Sequence, residues 1–149
     1  MIRLAIAEDH QSLIDGIKLL LEYEDDISIV GTANDGKDLL EIVEKKEPNV
    51  VLTDIRMPKM DGIQATKQIK KNHPKINVLA FTMFEQVEAI EQMIDAGASG
   101  YILKNSSLEE VHKAILTVAK GETYFDANIN TNVLNSKSKN KTKGILTKR

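Results

Sequence analysis

Short aliphatic runs alternate along the chain with segments in which apolar residues recur every three or four positions. The aliphatic runs cover residues 2–7, 27–33, 48–53, 76–82 and 99–103. They are rich in Val, Ile and Leu on both faces, which is typical of parallel strands buried between two layers of helices. The pattern therefore predicts an α/β fold with five parallel strands, each followed by a helix.

The intervening segments have the apolar spacing of helices that bury one face. They cover about residues 11–22, 36–46, 62–72, 85–96 and 107–120. In the first segment, Ile14 and Ile17 fall on one face at the helical spacing of about 3.6 residues. In the last, Ser106 or Ser107 is expected to cap the helix and Gly121 to end it.

The alternation of strand and helix stops after Gly121. Residues 136–143 contain no apolar side chain, which is typical of a flexible linker, and we expect that linker to cover residues 122–144. Residues 145–149 then indicate a new element that is cut off at the last residue. The predicted organisation is one domain over residues 1–121, the linker, and the start of a second domain.

Composition excludes several classes of protein. The chain has 149 residues, and an apolar fraction of 42% is enough for one ordinary core. No apolar run approaches the ~18 residues of a membrane span, and no signal peptide is apparent. Cysteine is absent, which excludes disulfides and thiolate chemistry. We expect a cytoplasmic protein without membrane contact.

The net charge of −2 is unevenly distributed. Acidic residues outnumber basic ones up to residue 120, and basic residues outnumber acidic ones beyond it. The basic tail is typical of a solvated linker, and it is also what a hinge leading into a nucleic-acid-binding module would carry.

Polar residues follow four of the predicted strands at the point where each strand ends. Glu8 and Asp9 follow the first strand, Asp54 the third, Thr82 the fourth and Lys104 the fifth. In an open parallel sheet, functional groups collect outside the carboxyl ends of the strands. These side chains are therefore predicted to converge in one site.

The converging residue types suit a divalent cation and a phosphoryl group. Three carboxylates repel one another by roughly 1–4 kcal/mol per pair at ~4 Å, and a bound cation removes that cost. Oxygen ligands favour Mg²⁺, with Mn²⁺ as an alternative. The Asp54 carboxylate can attack phosphorus, while Lys104 and Thr82 can neutralise or hydrogen-bond the phosphoryl oxygens. Taken singly, each residue also has an ordinary structural role, and His10 is expected to be a solvated helix-start residue.

The segment from Asp54 to Gly62, Asp-Ile-Arg-Met-Pro-Lys-Met-Asp-Gly, is the most specific stretch of the chain. With the four strand-end signals, it makes residues 1–121 strongly resemble the receiver domain of two-component response regulators. The resemblance implies a flavodoxin-like, doubly wound (β/α)5 fold whose five-stranded parallel sheet has the order 2-1-3-4-5.

The resemblance also implies a role for each site residue. It makes Asp54 the phosphoacceptor and Lys104 the phosphate-binding lysine. It makes Glu8 and Asp9 the acidic pair that holds Mg²⁺ together with Asp54 and the backbone carbonyl of Arg56. Thr82 and Tyr101 would form the switch pair, and Tyr101 is expected to be half-buried if its role is only structural.

The residues around these motifs are similar to those of NarL/FixJ-type regulators, which join a receiver to a LuxR-type helix-turn-helix domain. Residues 145–149 look like the opening of that domain, with the rest truncated. The implied partners are a sensor histidine kinase, DNA through the missing domain only, and a second copy of the chain after phosphorylation. Leu19 and Tyr23 near the end of the first helix, with Leu116 on the last, are candidate dimer contacts.

Two other functions use similar residues. Aspartyl-phosphate phosphohydrolases usually have a second Asp two residues after the first, where this chain has Arg56. A phosphorylation-independent interaction module would be favoured if the acidic pair, Thr82 or Lys104 were missing, and none is. The expected function is a signalling switch that phosphorylates and dephosphorylates its own Asp54, without turnover of an external substrate.

Overall fold

The computed structural model describes residues 1–83 and 87–125, in which six strands alternate with five helices. The strands are β1 (Ile2–Ala7), β2 (Ile27–Ala33), β3 (Val50–Asp54), β4 (Asn77–Thr82), β5 (Gly100–Leu103) and β6 (Tyr124–Phe125). The helices are α1 (Gln11–Leu21), α2 (Gly36–Lys46), α3 (Gly62–Asn72), α4 (Val87–Ala96) and α5 (Leu108–Ala119). The five predicted strand–helix units are all present. No helix in the described ranges has the length and apolar character needed to span a bilayer.

The six strands form one parallel sheet in the order β2-β1-β3-β4-β5-β6. The expected order of the first five is therefore present, but the expectation of a five-stranded sheet was wrong. The sixth strand has two residues, which is too short to produce an apolar periodicity. It lies within residues 122–144, which were expected to be linker; residues 126–149, including the predicted start of a second domain, lie outside the described part.

Helices cover both faces of the sheet, as strands with two apolar faces require. Buried residues of α2, α3 and α4, including Leu39, Ile69 and Met93, pack on one face. Buried residues of α1 and α5, including Ile14 and Ile115, pack on the other. Each such side chain contributes roughly 1.5–3 kcal/mol to folding when fully buried. Packing on both faces therefore stabilises the sheet and the positions of its strand ends.

Side-chain caps define where three helices begin. Asp35 accepts a hydrogen bond from the Asp38 backbone N–H at 2.8 Å, and Asp61 accepts one from the Gln64 backbone N–H at 2.9 Å. Ser107 forms the reciprocal capping box with Glu110, as one of the two predicted serine caps. Because α3 and α5 begin shortly after β3 and β5 end, the caps on these two helices also restrict the loops at the strand ends.

Candidate functional site

The polar residues predicted to converge lie at the same edge of the sheet. Strand β3 is flanked by β1 and β4, and β4 is flanked by β5. Asp54 is the last residue of β3 and is paired with Phe81, while Thr82 is the last residue of β4 and is paired with Leu103. The register therefore brings the ends of these four strands together, as the sequence predicted.

Lys104 lies between two buried carboxylates. Its Nζ is 2.9 Å from Asp54 Oδ2 and 3.0 Å from Glu8 Oε1. Glu8 is fully buried and Asp54 is 4% exposed. The Lys104 backbone N–H donates to the Thr82 carbonyl oxygen at 2.8 Å, which fixes where the side chain starts. Two carboxylates and one ammonium leave this cluster one negative charge in excess.

The surroundings of this cluster change how its members bind protons. Burial raises the pKa of Asp54, and the Glu8 charge adds to that effect, although hydrogen bonds from Lys104 and from the Ile55 backbone oppose it. Burial alone would lower the pKa of Lys104, but its hydrogen bonds to Asp54 and Glu8 outweigh burial and raise it. Lys104 is therefore a fixed positive charge at neutral pH, and Asp54 is a carboxylate whose ionisation is costly.

The loop after β3 sets the direction of the Asp54 side chain. Asp54 Oδ1 accepts a hydrogen bond from the Ile55 backbone N–H at 2.8 Å, while Oδ2 faces Lys104. The loop comes back to the end of β3 at Gly62, whose backbone N–H donates to the Ile55 carbonyl oxygen at 2.7 Å. A Cβ at position 62 would lie 2.2 Å from the Asp54 carbonyl oxygen, so only glycine permits this approach.

His10 contacts the acidic pair, which the sequence did not predict. Its Nδ1 is 2.8 Å from Glu8 Oε2 and 3.3 Å from Asp9 Oδ1, and its backbone N–H donates to the same Glu8 oxygen. The hydrogen bond with Glu8 and the charges of Asp9 and Glu8 raise the pKa of His10. The imidazole is exposed, as expected, but it forms a hydrogen bond with Glu8 Oε2, the oxygen that does not contact Lys104. The spacing of two residues from Glu8 was the only signal available.

Thr82 and Tyr101 are both buried, whereas Arg56 is exposed. Thr82 is buried, and its hydroxyl donates to the Met83 carbonyl oxygen at 3.3 Å. Tyr101 is 1% exposed, which is deeper than the half-buried ring expected if its role were only structural. The ring of Phe125 packs against it with the two centroids 5.3 Å apart. Arg56 is exposed, two residues beyond Asp54.

The acidic pair fits a divalent cation. Ligand atoms of Glu8, Asp9 and His10 all lie within 4.8 Å of one another. Asp54 is joined to the same cluster through Lys104. Carboxylate oxygens are the ligands that Mg²⁺ and Mn²⁺ prefer, and the excess negative charge of the buried cluster favours any cation placed beside it.

Comparisons with known proteins show which family the chain belongs to. A family model of the response regulator receiver domain matches residues 4–116. The chain is 37% identical over 134 residues to the oxygen regulatory protein NreC of Staphylococcus epidermidis (strain ATCC 12228 / FDA PCI 1200), a match covering 89% of this chain and 62% of NreC. The chain thus spans less than two thirds of the length of that relative.

Solved structures have the same architecture. The receiver domain of the response regulator NarL from Mycobacterium tuberculosis matches with a TM-score of 0.77 at 32% identity, covering 81% of this chain and 98% of that one. A structure of two RcsB dimers bound to two parallel DNAs matches with a TM-score of 0.79 at 25% identity, covering 97% of this chain and 78% of that one.

Proposed function

Since the chain belongs to the response regulator receiver domain family, we propose that Asp54 is the residue through which it acts as a phosphorylation switch. A partner histidine kinase would supply the phosphoryl group. The observation that carries this proposal is the cluster in which Lys104 Nζ contacts both Asp54 and Glu8 at the carboxyl edge of the sheet. A buried carboxylate with a raised pKa beside a fixed ammonium is a typical functional arrangement.

The proposed step is displacement at phosphorus. An Asp54 carboxylate oxygen forms a bond to the phosphorus atom, and the bond between phosphorus and the kinase histidine nitrogen breaks. The electron pair of that bond stays on the nitrogen, and a proton already on the other ring nitrogen makes the departing histidine a neutral imidazole. Hydrolysis of the acyl phosphate later returns Asp54 to its carboxylate form, and the products are inorganic phosphate and the original chain.

Charged and hydrogen-bonding groups around Asp54 would stabilise the phosphoryl oxygens. Lys104 already reaches Asp54 Oδ2 and would pair with a phosphoryl oxygen bound there. The Thr82 hydroxyl would donate to a second oxygen. A Mg²⁺ or Mn²⁺ ion held by Glu8, Asp9, Asp54 and the Arg56 carbonyl would supply the remaining positive charge.

This arrangement favours a switch over a phosphohydrolase. A phosphohydrolase of the aspartyl-phosphate class would place an acid/base carboxylate two residues after Asp54. Arg56 occupies that position and is exposed. The chain therefore has a nucleophile and charge-stabilising groups at this site, with no second carboxylate at that position to drive repeated turnover.

For the whole protein we propose transcription regulation in the cytoplasm. In this proposal residues 1–121 form the receiver, residues from 122 to 144 connect it to an output domain, and residues 145–149 begin a LuxR-type helix-turn-helix domain. Phosphorylation would promote homodimers that place two such domains on DNA. The RcsB structure, with dimers on DNA, supports this reading for a protein of similar architecture.

The test is a stoichiometric phosphorylation assay. The chain is incubated with acetyl phosphate, with and without Mg²⁺, and the mass of the intact protein is measured. We expect one phosphoryl group per chain only when Mg²⁺ is present. Asp54→Asn should remain unmodified, while Asp15→Asn on the exposed side of α1 serves as the matched control. Labelling of the Asp54→Asn variant at the same stoichiometry would refute the assignment.

A further inference from the structure

The segment that follows α5 returns to the open edge of the sheet. Strand β6 pairs in parallel with β5, with Gly100 opposite Tyr124 and Tyr101 opposite Phe125. The Tyr124 backbone N–H donates to the Ser99 carbonyl oxygen at 3.2 Å. Residues 124–125 are therefore held by main-chain and side-chain contacts beside β5.

The Phe125 ring covers Tyr101 from that edge. The ring centroids are 5.3 Å apart and the planes are inclined by 53°, which lies in the tilted range that aromatic pairs prefer. Tyr101 itself is 1% exposed. Removing Phe125 from this position would uncover part of a ring that is otherwise enclosed.

The strand register connects this ring pair to the candidate site. Tyr101 is paired with Ala80, and Thr82 lies two residues further along the same strand. Residues two apart in a strand face the same side, so Thr82 is a diagonal neighbour of Tyr101, within reach of an aromatic side chain. Thr82, Tyr101 and Phe125 thus lie on one face of three adjacent strands, ending beside Asp54.

The close pairing of β5 with β6 requires a glycine at position 100. A Cβ at position 100 would lie 2.0 Å from the Tyr124 carbonyl oxygen. Because that atom belongs to the main chain, the clash could be relieved only by moving the backbone of β6 away. The identity of residue 100 therefore decides whether residues 124–125 can dock.

We propose that the β5 edge is a docking surface for residues 124–125, and that its occupancy is coupled to the chemical state of Asp54 through Tyr101. The proposal rests on the proposed function, because it takes Thr82 and Tyr101 as the pair that responds to a phosphoryl group. A movement of Thr82 changes the space beside the Tyr101 ring, and the ring position determines the contact available to Phe125. Since coupling is reciprocal, docking of residues 124–125 must in turn change the affinity of the site for a phosphoryl mimic.

Affinity measurements test the first half of this coupling. Binding of beryllofluoride with Mg²⁺ to the 149-residue chain is measured by titration calorimetry for the wild type, Phe125→Ala and Gly100→Ala. Both variants undock β6 by different means, so both should shift the dissociation constant in the same direction, by about two- to tenfold, the range expected for one aromatic pair. Ile29→Ala, a half-buried aliphatic truncation in β2 at the opposite edge, is the matched control and should leave it unchanged.

Amide exchange of the wild-type chain tests the second half without any variant. If beryllofluoride lowers the protection of the Tyr124 amide, both variants must bind the mimic more tightly; if it raises the protection, they must bind more weakly. Unchanged protection, equal dissociation constants in all chains, or opposite signs would each overturn the coupling. Failure of the wild type to bind the mimic at all would instead contradict the proposed function, so the two failures are distinguishable.

Discussion

Lys104 compensates two carboxylates that would otherwise repel each other inside the protein. Both carboxylates are at least nine-tenths buried, and each has one oxygen within 3.0 Å of the Lys104 nitrogen. Burial raises the pKa of Asp54, and because a single ammonium cannot neutralise two carboxylates, the charge of Glu8 adds to that rise despite the ion pair. The residue proposed to accept a phosphoryl group is therefore also one whose ionisation opposes folding.

Replacing Asp54 should stabilise the protein in the absence of divalent cations. The folded-state pKa of Asp54 is raised, so its contribution to stability is complete below the unfolded-state value of about 4 and is lost as the pH rises through the folded-state value. The melting temperature of Asp54→Asn in EDTA should exceed that of the wild type at pH 7, and the gap should shrink as the pH falls towards 4. Thermal unfolding at several pH values measures this, and a gap that widens on acidification would contradict it.

Removing the Lys104 ammonium should have the opposite effect. Lys104→Ala leaves Asp54 and Glu8 as uncompensated neighbours, and breaking a buried ion pair in this way costs about 3–5 kcal/mol. Urea unfolding in EDTA should show that loss, and Mg²⁺ should restore a large part of it by replacing the missing charge. Lys113→Ala on the exposed side of α5 is the control. Equal destabilisation with and without Mg²⁺ would argue against a cation site beside Asp54.

At the scale of elements, the turn between β3 and α3 determines the position of Asp54. Gly62→Ala places a Cβ 2.2 Å from the Asp54 carbonyl oxygen, so the loop must shift. We expect a loss of about 1–3 kcal/mol in the free energy of unfolding, as for other overpacked positions. Labelling of the folded protein by acetyl phosphate should also fall, by more than the loss of stability explains, because the carboxylate moves relative to Lys104.

The matched control for this substitution is Gly16→Ala in α1. Apart from the adjoining residues and the backbone of α1 itself, no atom of the described residues lies within 4 Å of a Cβ at position 16. Alanine there should stabilise the helix by about 0.5–1 kcal/mol. Urea unfolding and acetyl phosphate labelling of both variants compare the two positions. Normal labelling of Gly62→Ala would show that the turn does not determine the geometry of the site.

The elements that were predictable are those whose signals repeat along the chain. Each of the five apolar strands and five amphipathic segments contains several residues that repeat the same apolar spacing. Once the strands are located, their ends give the positions of Glu8, Asp54 and Lys104. Strand β6 contributes two residues and has no such signal; it exists because the edge of β5 lies beside the chain after α5. The contact of His10 with Glu8 likewise depends on the path of the loop after β1, which no periodicity encodes.

For the whole molecule, the α1 surface is where association is expected. Leu19 is 67% exposed and Tyr23 is 82% exposed, although α1 ends at Leu21, so Tyr23 lies just beyond the helix. The chain should sediment as a monomer alone and as a dimer with beryllofluoride and Mg²⁺. The double variant Leu19→Ala/Tyr23→Ala should weaken that dimer about tenfold or more, since buried aromatic anchors carry much of an interface's energy.

The control for this prediction is Val87→Ala, an apolar surface residue on α4. Its dimerisation should match that of the wild type. A wild-type chain that remains monomeric with the mimic at concentrations well above micromolar would leave Leu19 and Tyr23 as ordinary surface residues.

The excess negative charge around Lys104 also bears on how this protein could evolve. Proteins selected only for heat resistance tend to lose strained or electrostatically unfavourable functional groups. In a library of this chain screened for thermal tolerance in cation-free medium, replacements at Glu8 and Asp54 should be enriched among the survivors. Natural sequences that keep both carboxylates would then show that selection for signalling has maintained them, although replacing them would raise thermal stability.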